Sequence, residues 1–158
     1  MFSYHTIDIE QDFETLYKFR KDSYVVSFGD DSLSGSRESY MNKLKERLVS
    51  FPDGLVIVKN NNQPIGQITM QIKPYEGKII GYVNLFYLIE EYRNKGFGDQ
   101  LIQYADKIFK KHEVTEYHLR VTTTNERAIY FYKKQGFKML KKEEKHSVPR
   151  YRMCKILL

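Results

Sequence analysis

Apolar residues recur along this chain in two rhythms, every second residue and every third or fourth, and each switch between them marks a change of element. Phe2 to Ile9 alternates apolar with polar, the pattern of a half-buried strand. From Asp12 to Val26, Phe13, Leu16, Tyr17, Phe19 and Arg20 fall at helical spacing. The run from Phe28 to Ser36 breaks both rhythms and reads as a loop. Ser36 is placed to cap a second helix, with Tyr40, Leu44 and Leu48 on one face. Gly54 to Lys59 and Ile65 to Ile72 flank the turn cluster Asn60-Asn61-Asn62-Gln63-Pro64, as in an antiparallel hairpin.

A second turn, Pro74 to Lys78, leads into a long strand from Ile79 to Ile89. Phe97 to Lys111 follows as a helix with Leu101, Ile102, Ala105, Ile108 and Phe109 inward, and Tyr117 to Thr122 as a strand. A strand–helix–strand unit of this length predicts a right-handed crossover and a parallel pair. Asn125 can cap a short helix that Gly136 ends, with Ala128, Ile129 and Tyr132 sharing a face. Phe137 to Lys145 and Val148 to Leu157 close the pattern as two antiparallel strands. No repeat or linker interrupts it, so residues 1–158 read as a single mixed α/β domain.

Composition narrows the function classes. With 41% hydrophobic residues, 13 Tyr and 10 Phe, the chain can build a core and line a pocket. No apolar run is long enough to span a bilayer, and Met1-Phe2-Ser3-Tyr4-His5 does not open a signal peptide. The lone Cys154 excludes an internal disulfide framework and reads as a small strand residue, so a cytoplasmic home is expected. His5, His112, His118 and His146 show no ligand spacing, and no metal site is expected. The net charge of +6 favours anionic ligands. Its densest run, Lys138 to Lys145, is interrupted by Glu143 and Glu144, so the charge calls for no nucleic acid, nor for a membrane.

The candidate chemistry lies in the turn Tyr92-Arg93-Asn94-Lys95-Gly96-Phe97-Gly98-Asp99, between a strand and a helix N-terminus. The first N–H groups of a helix lack intrahelical partners and carry partial positive charge. Gly96 and Gly98 allow close backbone approach, and Arg93 and Lys95 add charge, which together suit a phosphate or pyrophosphate. Leu101 stands where a dinucleotide fingerprint has its third glycine, and Gly98-Asp99-Gln100 is not a Walker sequence.

Two segments together carry a family resemblance. Arg93-x-x-Gly96-x-Gly98 and Asn125-x-x-Ala128-x-x-x-Tyr132-x-Lys134-x-Gly136-Phe137 closely resemble the acetyl-CoA signature of the GNAT superfamily of N-acetyltransferases. The resemblance is strong from Val83 to Phe137. It implies a mostly antiparallel sheet of six to seven strands, a splayed parallel central pair and about four helices. It places the arm of acetyl-CoA on the backbone of Phe86, Tyr87 and Leu88, and its pyrophosphate on the N–H groups of Asn94, Lys95, Gly96, Phe97, Gly98 and Asp99. Asn125 would contact the cofactor near the arm. The implied reaction is direct attack of a small-molecule or peptide primary amine on the thioester. The Leu88 N–H would stabilise the oxyanion, and Tyr132 would protonate the leaving thiolate.

Some family members carry a general base, a Glu, where this chain has Arg120, which cannot act as one. A water relay or a distant carboxylate would replace it. Arg120 would either meet a substrate carboxylate or be a surface cation. Asp30 and Asp31, with Glu38 nearby, would either attract a cationic amine or simply shape a turn. The alternatives to catalysis are a non-catalytic acyl-CoA-binding sensor and a basic nucleic-acid-binding module. A homodimer through the terminal strands is a further expectation.

Overall fold

A computed structural model describes residues 1–145 and 147–158. Seven strands form one sheet: β1 (Phe2–Thr6), β2 (Leu55–Asn60), β3 (Gln63–Tyr75), β4 (Lys78–Leu88), β5 (Glu116–Thr122), β6 (Lys138–Lys145) and β7 (Val148–Ile156). Their spatial order is β1-β2-β3-β4-β5-β7-β6, and every pairing is antiparallel except β4 with β5. Helices α1 (Ile9–Phe28) and α2 (Arg37–Ser50) cover one face, where Phe13, Leu16, Tyr40 and Leu44 pack on Leu55 and Ile57. Helix α3 (Gly98–Lys111) covers the other with all five of its expected inward residues buried, and α4 (Glu126–Lys134) packs against that same core.

Four boundaries differ from the sequence pattern for local reasons. The first strand stops at Thr6 and α1 starts at Ile9, because Asp8 caps it: its carboxylate accepts from Gln11 N–H, and its own N–H donates to Asp12. Strand β3 absorbs Pro64 and Pro74, which the pattern assigns to turns. The turns shrink to Asn61-Asn62 and Glu76-Gly77, all with positive φ, as two-residue hairpins of this kind require. Each proline then sits one step inside its turn, opposite Lys59 or Ile79, at a position whose N–H points away from the hairpin partner. The missing donor therefore costs no bond within either hairpin.

The central parallel pair barely exists. β4 and β5 are in register only at Gly81 with Tyr117 and Tyr82 with His118. Beyond Tyr82 they diverge. A bulge helps: Thr69 faces Leu85 while Met70 faces Val83, leaving Asn84 as the extra residue.

Candidate acetyl-CoA and acceptor cleft

The divergence of β4 from β5 opens a cleft of about 690 Å³ through the sheet. Backbone direction on its β4 wall follows from one hydrogen bond, Ile89 N–H to Ile65 O at 2.9 Å. It makes Leu88 and Gly66 a non-hydrogen-bonded pair, so the N–H and C=O of Leu88 point away from β3 and into the gap. By alternation the peptide groups of Phe86 do the same, whereas those of Tyr87 turn to Gln67. The Tyr87 side chain leaves too, its hydroxyl donating to Asp22 of α1 at 2.5 Å.

At the end of the cleft stands the glycine turn. Among the described residues, the N–H groups of Asn94 through Asp99 find no protein acceptor, and α3 begins with no side-chain cap. They form a run of free donors at the positive end of a helix. The two glycines serve different ends. Gly96 has φ +83, a left-handed value, and a Cβ there would meet nothing within 4 Å. Gly98 answers to packing instead: a Cβ there would stand 2.8 Å from Cζ of Phe131 on α4, so that ring or the turn would have to move.

All the sequence-predicted contacts except Lys95 and Phe97 line the cleft, together with Tyr132. Lys95 donates to Glu91 O at 2.7 Å, and Phe97 packs on Phe2 and Tyr92. The Arg93 guanidinium is turned to the protein, donating to Leu88 O at 2.8 Å and to Asp22 at 2.5 Å. Asn125 uses its side-chain oxygen to cap α4 through Ala128 N–H at 3.2 Å.

Tyr132 lies between Phe86, Phe131 and Phe137, with ring centroids 6.4, 5.5 and 5.4 Å away. Burial pushes its phenol up to about 12. Its hydroxyl has no protein partner among the described residues, so it is a protonated donor in the cleft at every working pH.

On the α1/α2 face, Arg120 donates to Glu143 at 2.6 Å and Arg152 to the same carboxylate at 3.0 Å. Asp30 accepts from Ser32 in its own turn, Asp31 pairs with Lys21 at 3.8 Å, and neither lines the cleft. Glu38 is exposed on α2, also away from the cleft. Burial would raise the Glu143 carboxyl, but the hydrogen bonds from Arg120 and Arg152 outweigh it and hold it at about 2, below its ordinary 4.5. Its stabilisation is therefore complete above about pH 4.5 and lost as pH falls towards 2. Glu143→Gln should lower stability at pH 7 by about 2 kcal/mol and flatten the acid slope, read from melting temperatures between pH 7 and 2.5.

Strand pairing also gathers three residues that spacing along the chain does not. Glu116, His118 and Cys154 have ligand-type atoms within 4.8 Å of one another. They are already hydrogen-bonded: His118 Nε2 lies 2.7 Å from Glu116 Oε2, and Cys154 donates to the same oxygen at 3.3 Å. Arg152, a donor only, stands 2.9 Å from His118 Nδ1. The imidazole accepts there and carries its proton on Nε2, the atom a metal would need. Burial, then Glu116, pushes the Cys154 thiol up to about 12, so it is no nucleophile at neutral pH. His146 lies outside the described residues.

This cleft and fold define an acyltransferase class, and the chain belongs to the acetyltransferase (GNAT) family, whose model matches residues 13–137. It is 26% identical over 88 residues to N-alpha-acetyltransferase 30 of Schizosaccharomyces pombe. That match covers 55% of this chain, and the chain spans only 59% of the length of this curated relative. The whole chain superposes on the PaiA N-acetyltransferase of Thermoplasma acidophilum, solved with coenzyme A, at a TM-score of 0.78, 25% identity and 99% coverage of both chains. Naa20 of Chaetomium thermophilum, solved with a bisubstrate analogue, gives a TM-score of 0.78 at 18% identity, covering 98% of this chain and 86% of that one. At that identity the likeness is one of fold.

Among the described residues, no helix is long and apolar enough to cross a membrane. Sequence reasoning missed Asp22, Arg47 and Arg150, which the fold brings to the cleft or its edge from α1, α2 and β7. No local motif marks them.

Proposed function

We propose that residues 1–158 act as one domain that transfers an acetyl group from acetyl-CoA to a primary amine of a peptide or small molecule. The observation that carries this reading is the splay, with free backbone groups on one wall and the unpartnered Tyr132 hydroxyl beside them. Acetyl-CoA supplies the thioester carbonyl and a thiolate leaving group. The free N–H groups from Asn94 to Asp99 bind its pyrophosphate, and the gap-facing peptide groups of Phe86 hold the arm, the Leu88 carbonyl being taken by Arg93. Leu88 N–H is aimed to receive the developing oxyanion. Tyr132 donates its hydrogen to the departing sulfur.

Asp99, beside the glycine turn, is the only carboxylate among the described residues lining the cleft. The amine proton therefore leaves to water, and attack requires the free amine. The rate should rise with pH through the pKa of the acceptor.

Peptide amines are favoured among acceptors by the matched N-alpha-acetyltransferase. A catalytic role is favoured over a sensor because a sensor has no use for a protonated phenol held free beside the gap. The lone buried Cys154 suits a reducing cytoplasm, and the free edge of β6 is where a homodimer would pair. The test is release of CoA thiol from acetyl-CoA on addition of N-terminal peptides or simple amines, with acetylation read by mass. Thiol release that stays at the amine-free background for every acceptor would refute transfer.

A further inference from the structure

The α1/α2 end of the cleft is lined by cations. Arg20, Arg47, Arg120 and Arg150 all reach it, and no described carboxylate lines that end. Arg120 is paired with Glu143, and Arg20 gives its Nε to Ser34 O at 2.7 Å. Arg47 and Arg150 are different. Arg47 is half-buried and donates to no protein acceptor among the described residues. The Nε of Arg150 is fully occluded and has no partner. Directly across from Arg150 in the β5–β7 register stands Thr122, whose hydroxyl is likewise buried and unpartnered.

Burial and neighbouring positive charge hold both guanidinium groups below their ordinary pKa: Arg20 acts on Arg47, and Arg120 on Arg150. Lys73 is depressed the same way, by burial and then by Arg120, Arg152 and Arg47. Within this neighbourhood Glu143 is the buried-side carboxylate, and it is already bonded to Arg120 and Arg152. Glu46 also acts on Arg47, but from the exposed side of α2. Leaving desolvated donors and cations unpaired is costly, and a ligand that supplies the missing acceptor recovers that cost on binding. A planar guanidinium beside a hydroxyl suits a carboxylate, which takes two parallel N–H bonds. The cofactor's phosphates have their own donors at the glycine turn on α3, across the sheet from α2.

We propose that the acceptor is an amine bearing a carboxylate, which seats between Arg47 and Arg150 with Thr122 as a further donor. This rests on the acetyltransferase reading and names its substrate class. The carboxylate neutralises the cationic end of the cleft while the amine reaches the splay.

The test uses matched acceptors that differ only in carboxylate or carboxamide: β-alanine against its amide, and short peptides with Glu against Gln in second place. Wild type should prefer the carboxylate member at least about tenfold in kcat/KM counted per free amine, which removes the difference in amine pKa between the two members. Arg47→Gln and Arg150→Gln should cut that preference to about twofold or less, with acetyl-CoA affinity unchanged. Both variants should melt no lower than wild type, since each removes an uncompensated cation. Equal use of the two members, or a preference that survives both substitutions, overturns the inference and leaves acetyl transfer standing. Succinate separates the two failures because it needs no catalysis. If acetyl-CoA does not bind, a succinate-dependent rise in melting temperature seen in wild type and lost in both variants keeps the carboxylate seat. Absence of that rise overturns it.

Discussion

Tyr132→Phe is expected to lower turnover about 10²-fold or more while acetyl-CoA binds as before. General acid assistance is worth about 10² to 10⁴ in rate. The substitution removes one hydroxyl that has no protein partner, and the ring that packs on Phe86, Phe131 and Phe137 remains. Melting temperature should therefore hold. Because burial keeps the phenol protonated up to about 12, wild type should show no falling alkaline limb up to about pH 10. Single-turnover kinetics on both proteins, with calorimetry for affinity, separates the chemical step from binding. Equal turnover would show that another group, or water, meets the thiolate.

Gly96→Val is expected to weaken acetyl-CoA binding about 10²-fold with a small loss of stability. At φ +83 a β-branched residue is strained, by about 1–2 kcal/mol or more. Space is not the obstacle, since a Cβ there meets nothing within 4 Å. The strain is relieved by shifting the turn, and a shifted turn no longer aims the N–H groups of Asn94 to Asp99 at one anion. Charge-assisted hydrogen bonds are worth about 1.5–3 kcal/mol each, so losing one or two accounts for the expected effect. Retained affinity in a folded Gly96→Val protein would mean that the phosphates are held elsewhere.

The sequence revealed what is periodic or capped locally. The five inward residues of α3 and the Asn125 cap are written in spacing and residue type, and both stand as read. The two prolines of β3 misled because their tolerance depends on which side of a hairpin each N–H faces, a property of pairing and not of composition. The reason for Gly98 was equally hidden, since the ring that a Cβ there would meet belongs to α4. Arg93 showed its charge in the sequence but not its partner, Asp22, 71 residues away. Arg47 and Arg150 could not be told from ordinary surface cations until the β5–β7 register and the packing of α2 brought them to one cavity. Backbone contacts are legible from a family signature because they depend on turn shape. The acceptor end is assembled from distant elements and leaves no motif.

Acetyl-CoA binding by the splayed strands and the glycine turn underlies every step of the proposed transfer. Calorimetric titration of the wild-type protein and Gly98→Trp with acetyl-CoA tests it most directly. One saturable site is expected in wild type, lost in the variant because an indole beside Phe131 displaces the start of α3 from α4. No heat of binding to folded wild-type protein would contradict it.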